Sequence, residues 1–299
     1  MKIKFQHQNE KLNDSVLYII GNGFDIAHKL PTTYEDFHKW LIENGHGYFV
    51  QAFESLYPDV KDCKGRWCDI EKALGSITLN SAVNFDLNYQ YLSDEKLNQN
   101  SSLDEYTCGR NINNVVKVLP GLLLGWVKSI QLDNCPSIFE FVEKSRFLSF
   151  NYTRTLENIY GITEDKVLHI HEMVMENRPL VVGYGHSIFE NDEYDTPNDN
   201  IDINLIIKLL SQCKKPVEAI LREPKPKTWF ENLREVSSVT VFGHSCSIVD
   251  KPYFETVAKS IQKDAYWHFY VHDRSNNIAI ETFAKSIMKD QQCFEIINQ

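Results

Sequence analysis

Residues 16–37, VLYIIGNGFDIAHKLPTTYEDF, limit the folds open to this chain more than any other stretch. Val16-Leu17-Tyr18-Ile19-Ile20 is short, nearly all apolar and rich in β-branched residues, the pattern of a central strand buried on both faces. It stops at Gly21-Asn22-Gly23, where two glycines permit positive φ and leave no side chain between the backbone and an incoming group. Phe24, Ile26, Ala27 and Leu30 continue at helical spacing, and Leu30-Pro31-Thr32-Thr33 ends that helix. Thr32, with Glu35 three residues on, predicts a capping box that opens a second helix. A strand, a glycine turn and a helix in succession aim backbone N–H groups and the positive end of a helix dipole at one point, which suits a phosphate. Gly21-x-Gly23 lacks the third glycine of the dinucleotide fingerprint, so by itself it is equally well explained as a tight strand-to-helix connection.

The remaining pattern predicts an α/β chain. Asp36 to Tyr57 reads as an amphipathic helix interrupted at Asn44-Gly45, and residues 58–66 as a loop. Trp67-Cys68-Asp69-Ile70-Glu71 starts another helix with Asp69 as its N-cap, and Asn111 to Ile130 is helical. No strand pattern occurs between about 38 and 135, which predicts a mainly helical insertion within a single domain spanning 1–299. Ser137 with Glu140 suggests a further capping box. Strands are expected at Arg146–Phe150, Val167–Ile170, Leu180–Val182, Val239–Phe242 and, last, Trp267–Val271, with a helix after it. The span Ile188–Asp202, with six acidic residues, is expected as an exposed, mobile loop, and 203–235 as interrupted helix. Asp250 is expected to cap a helix that has Pro252 in its first turn. Strands alternating with helices predict a Rossmann-like, mostly parallel sheet with helices on both faces.

Bulk properties narrow the function. With 299 residues, 42% of them hydrophobic, the chain can bury a substantial core. A net charge of -10 argues against direct nucleic-acid or anionic-membrane binding, while leaving room for a small anion held by backbone amides. No run of about 18 apolar residues predicts a membrane span. MKIKFQHQNEKLND lacks the apolar core of a signal peptide. The seven cysteines show no paired spacing, so a reducing, cytoplasmic setting is expected and structural zinc is not.

In parallel sheets ligands bind outside the carboxyl ends of the strands. Four segments put small or polar residues there: Gly21-Asn22-Gly23, Asn151 after RFLSF, His171 after VLHI, and Gly243-His244-Ser245 after VTVF. Each has a plain structural alternative. Asn151 could end a strand as a turn residue, His171 could be a satisfied histidine with His169 its competitor, and His244 could cap or pack. Asp25 could cap the first helix or face a ligand; Trp67 is expected to pack, and Asp69 and Glu71 are open between the two roles. A metal held by His169, His171, His186 and His244 is disfavoured because no ligand spacing such as His-Glu-x-x-His is present.

Together, IIGNGFDIAHKLPTTYEDF, WCDIE, FLSFNYTRTLENIYG, VLHIHE and VFGHSCSIVDKPYF resemble the AbiH family of bacteriophage abortive infection, over nearly the whole chain. That resemblance implies a role in phage defence. The same order of pieces is similar, more distantly, to sirtuin-like NAD-binding domains. By position, this second resemblance implies that Gly21, Gly23 and Phe24 lie along the phosphates and ribose of NAD. It implies that Asn151 is the active-site Asn and His171 the base, with Gly243 and Ser245 on the adenosine side; Asn22, Asp25 and His244, their neighbours in the same turns, are further candidate cofactor contacts. Glu172 departs from the glycine that follows the histidine in both groups, and the paired cysteines of the deacetylases' zinc module are missing. The comparison therefore implies the zinc-free, NAD-hydrolysing domains of bacterial defence systems rather than a protein deacetylase.

The expectation is thus an NAD glycohydrolase, releasing nicotinamide and ADP-ribose, with oligomerisation or a defence-system partner holding it silent. The alternative is a nucleotide-sensing or partner-binding module without catalysis, which Glu172 favours. A nuclease-type effector is a weaker third option, disfavoured by the acidic balance.

Overall fold

The computed structural model describes residues 3–5, 15–88, 108–133, 135–171, 180–185, 202–288 and 292–298. In chain order the elements are β1 (Ile3–Lys4), β2 (Ser15–Ile20), α1 (Gly23–Ala27), α2 (Tyr34–Glu43), α3 (Gly47–Leu56), α4 (Ile70–Ser76), α5 (Leu79–Asn88) and α6 (Arg110–Ser129). There follow β3 (Phe139–Glu140), β4 (Ser145–Ser149), α7 (Thr155–Tyr160), β5 (Val167–His169), α8 (Ile203–Leu210), α9 (Val217–Arg222) and α10 (Pro224–Glu231). The chain closes with β6 (Val236–Phe242), α11 (Lys251–Ser260), β7 (Tyr266–Val271), α12 (Asn277–Ile287) and β8 (Cys293–Asn298). These fall into two compact units, one of residues 1–32, 130–178 and 216–299, the other of 33–129 and 179–215.

The first unit carries a six-stranded, wholly parallel sheet in the order β5-β4-β2-β6-β7-β8, flanked by helices. Counting those strands along the chain, the order is third, second, first, fourth, fifth, sixth, which is that of the doubly wound Rossmann sheet. β2 is central, and its last five residues are buried, as an apolar run with neighbours on both sides requires. Each such side chain contributes about 1.5–3 kcal/mol relative to exposure. One face of the sheet is sealed by Phe5, Tyr18, Phe24, Phe139, Phe147 and Phe242.

A small parallel pair, β1 with β3, occupies the place where the capping box of Ser137 and Glu140 was expected. Burial decides the difference. Phe139 stacks on Phe5 and Phe24, and the backbone N–H groups of Ile138 and Phe139 both donate to the Tyr160 hydroxyl at 3.1 Å. That hydroxyl also meets His28 Nε2 at 2.6 Å, while His28 Nδ1 bonds the Phe24 carbonyl at 2.7 Å. The two N–H groups occupy the hydroxyl's acceptor side, so its proton goes to Nε2 and His28 carries its own on Nδ1. Burial lowers the His28 pKa below its usual value, consistent with this neutral ring. Tyr160→Phe strands three polar groups at once and is expected to cost about 2–3 kcal/mol in a urea titration.

Three other expectations shift. The capping box starts one residue later: Thr33 Oγ1 accepts from Asp36 N at 3.1 Å and the Asp36 carboxylate accepts from Thr33 N at 3.1 Å. Leu180–Val182 is irregular, tied down by a single bridge from Tyr184 to Lys214. Trp267–Val271 is not the last strand, because β8 follows α12 at the sheet edge; its half-exposed residues lack the fully buried run that marks a central strand. Of the acidic stretch 188–202 only Asp202 is described, and it caps α8 through Leu205 N at 3.0 Å.

The second unit is helical among its described residues, with two isolated bridges besides, Lys61 to Trp67 antiparallel and Tyr184 to Lys214 parallel. The break at Asn44-Gly45 is present, with Gly45 at φ 81°. Trp67 packs against Phe37 and Phe53, and its indole N–H donates to Glu54 at 2.9 Å. Asp69 caps α4, and Glu71 pairs with the buried Lys215 at 2.8 Å.

Candidate functional site at the carboxyl ends of the strands

Because the sheet is parallel and in register, the ends of β2, β4, β5 and β6 lie along one edge: Ile20 pairs with Ser149 and Phe242, and Ser149 with His169. The chain reverses its direction of winding between β2 and β6, the point where doubly wound sheets open a crevice.

Two glycine turns meet there. Gly21 N donates to Phe242 O at 3.0 Å and Gly23 N to Gly243 O at 2.8 Å. A Cβ on Gly21 would stand 2.5 Å from Gly243 O, and one on Gly243 would stand 2.5 Å from Phe24 N. Neither Gly21 nor Gly23 uses positive φ; Gly243 does, at 67°. These glycines let two backbones touch. The N–H groups of residues 21, 23 and 24 all donate to backbone carbonyls, Phe24 N to Gly21 O at 2.9 Å. The exposed Asn22 directs its amide to Thr32 O at 2.7 Å, Phe24 is fully buried in the aromatic core, and Ser245 is exposed.

One turn beyond the glycines, Asp25 is 1% exposed and is not a helix cap. The Thr153 hydroxyl donates to its Oδ2 at 2.6 Å and lies 3.0 Å from the Thr155 hydroxyl, so the end of β4 reaches into α1. Oδ1 has no hydrogen bond among the described residues. Burial pushes the Asp25 pKa up to about 6, against the opposing effects of Thr153, Thr155, Asn151 and the charge of His169. Asn151, 7% exposed, thus belongs to the same cluster from the neighbouring strand.

The two candidate histidines part company. His169 ends β5 and is clamped, Nε2 to Glu157 Oε1 at 2.8 Å and Nδ1 to Asn151 O at 3.2 Å. Burial disfavours ionised Glu157, but the hydrogen bond and charge of His169 outweigh it and hold the carboxyl below its usual range. His171 lies past the end of the strand, so alternation no longer applies to it. Its Nε2 stands 3.6 Å from Asp250 Oδ1, and His244 Nε2 stands 3.5 Å from Asp250 Oδ2. The Phe150 ring makes T-shaped contacts with both imidazoles, its centroid 5.3 Å from that of His171 and 4.2 Å from that of His244. Sequence reasoning gave Asp250 only a capping role and passed over Thr153 and Thr155. The Thr-x-Thr hydroxyl pair directly after Asn151 was the available signal.

His186 and Glu172 lie outside the described residues. Among those described, no group of three or more His, Cys, Asp or Glu side chains could hold a metal ion, and no helix is long and apolar enough to cross a membrane.

The family model described as "Bacteriophage abortive infection AbiH" matches residues 17–271, which include every site residue named above. No curated protein and no solved structure matches the chain.

Proposed function

The chain belongs to the AbiH family, and on that premise we propose a phage-defence protein that binds NAD and hydrolyses it to nicotinamide and ADP-ribose. One observation supports this best. The Asp25 carboxyl, just past the glycine turn at the switch point, is hydrogen-bonded to the strand end that carries Asn151. That pairing supports an acid and an amide at the edge where doubly wound sheets hold nucleotides, and His171 follows the next strand on the same edge, beside Asp250.

Breaking the nicotinamide–ribose bond sends its electron pair to the departing neutral pyridine and leaves positive charge on the ribose. Ionised Asp25 would oppose that charge. Asn151 would hold the nicotinamide amide or the attacking water, and His171 would take the proton that water loses as its oxygen bonds to C1′. ADP-ribose, nicotinamide and one proton account for NAD and water. Purified protein mixed with NAD should release free nicotinamide, and Asn151→Ala and His171→Ala should each reduce that rate at least about a hundredfold with the circular dichroism unchanged. Undiminished turnover in either folded variant would overturn the assignment.

A second reading, a partner-binding module without catalysis, is favoured by the internal use of the amides at 21, 23 and 24, which are spent on backbone carbonyls and not held out to a phosphate. It predicts neither nicotinamide release nor calorimetric binding of ADP-ribose by the wild-type chain.

A further inference from the structure

Asp250 sits where a helix N-cap belongs yet makes no side-chain cap hydrogen bond to α11. Pro252 explains why it can be spared: a proline in the first turn has no N–H to satisfy. The carboxylate turns instead towards two imidazoles delivered by different strands, His171 after β5 and His244 after β6, and accepts from Ser247 Oγ at 3.3 Å. All three side chains are nearly buried, at 5%, 4% and 7% exposed for His171, His244 and Asp250. Phe150 and Tyr253 pack around them, with Tyr152 ring-to-ring against His171 at 6.4 Å. An apolar surround strengthens every charge interaction inside it.

The His244 side is built with care. Cys246 adopts φ 54°, a left-handed conformation that costs a non-glycine residue roughly 1–2 kcal/mol, and its N–H thereby donates to His244 Nδ1 at 2.8 Å. With Nδ1 accepting, His244 keeps its proton on Nε2, the nitrogen that faces Asp250.

We propose that Asp250 is the positioning residue of this site: its carboxylate, shared between His171 and His244, fixes the ring of His171 and selects which of its nitrogens acts as base. The idea rests on the reading of His171 as the base. Nε2 of His171 stands 3.6 Å from Asp250 Oδ1, an ion-pair rather than a hydrogen-bond distance; on this proposal the carboxylate draws the neutral ring's proton to that nitrogen and leaves the basic lone pair on Nδ1. One anion between two imidazoles also stabilises a single imidazolium, so the two rings compete for one proton. His244 is then a tuning group for His171.

Histidine ring titrations by NMR on the full chain, without NAD, test this independently of any reaction. Resonances are assigned through His171→Gln and His244→Gln. Asp250→Asn is expected to lower the His171 midpoint by about 1–3 pH units, the range for loss of an adjacent opposite charge. Asp250→Glu, which keeps the charge, should restore much of it. His244→Gln is expected to move the His171 midpoint the other way, upwards, because the carboxylate then serves one ring. This variant also decides the matter should Asp250→Asn fail to fold. A His171 midpoint unmoved in folded Asp250→Asn, or unmoved or lowered in His244→Gln, overturns the proposal. If wild-type protein releases no nicotinamide, the hydrolase reading falls while the titrations still decide the coupling. Where turnover is present, the acidic limb of kcat/KM should shift down with the same variant.

Discussion

Gly21→Ala is expected to abolish folding of the sheet rather than merely to block a ligand. The new methyl would lie 2.5 Å from Gly243 O and 2.6 Å from the His244 Cα, both backbone atoms that no rotamer change can withdraw. Nor can the backbones separate cheaply. Gly21 N is bonded to Phe242 O and Gly23 N to Gly243 O, and β2 and β6 are paired to their last residues just before the turn. Relief requires breaking the carboxyl ends of two central strands, a loss above about 4 kcal/mol, in the range reserved for gross core disruption. Gly45→Ala supplies the contrast. Gly45 has φ 81° but nothing within 4 Å of an added Cβ, so only the conformational cost of roughly 1 kcal/mol applies. Circular dichroism melts and urea titrations of both variants measure the difference. A Gly21→Ala protein that melted like wild type while losing nucleotide binding would return the glycine to the role of a phosphate cradle.

That contrast shows where sequence reasoning stops. The pattern Gly-x-Gly after an apolar strand places a close backbone approach correctly, but whether the approaching group is a phosphate or another turn depends on a segment more than two hundred residues further on. The central strands were legible because burial on both faces favours apolar residues, unbroken over the last five of β2 and interrupted only by Thr240 over the last four of β6. The edge strand β8 was not, since a half-exposed strand needs no such run. Local chemistry misled by one residue at Thr33, where Thr32 and Thr33 offer the same hydroxyl and only the helix axis distinguishes Asp36 from Glu35 as the reciprocal partner. Glu35 goes instead to the Trp67 N–H at 3.1 Å.

The site divides along the same line. Asn151, His171 and the turn at 243–245 could be found because a parallel sheet puts polar strand ends on one edge. Asp250 could not, because a carboxylate two residues before a proline satisfies a local capping rule, and the two imidazoles that claim it come from other strands. Asp25 was ambiguous for a related reason. Its burial depends on Thr153 and Thr155, which reach it only once β4 lies beside β2.

Asp25→Asn is expected to make the protein more stable and less active. The carboxyl has a pKa of about 6 in the folded chain against 3.8 unfolded, with burial the leading cause. A raised carboxyl pKa means that the folded state binds a proton the unfolded state has released, so the ionised group destabilises the fold at neutral pH. The gap of about two pH units corresponds to about 3 kcal/mol, a net figure in which the hydrogen bond from Thr153 is already counted. A gain of that order should raise the melting temperature by roughly 5 °C at pH 7–8. The sign fixes the pH window. The advantage of the variant is full above about pH 6, shrinks as the wild-type carboxyl takes up its proton, and vanishes below about pH 4. Thermal melts of both proteins from pH 4 to 8 therefore converge at the acid end. On the proposed hydrolase reading, nicotinamide release should fall at least about a hundredfold in the variant, as for loss of a charge that opposes a developing oxocarbenium ion. A carboxylate retained where it weakens the fold fits a group kept for its chemistry. Equal stability of the two proteins at pH 8 would show that Asp25 is not the strained acid its surroundings imply.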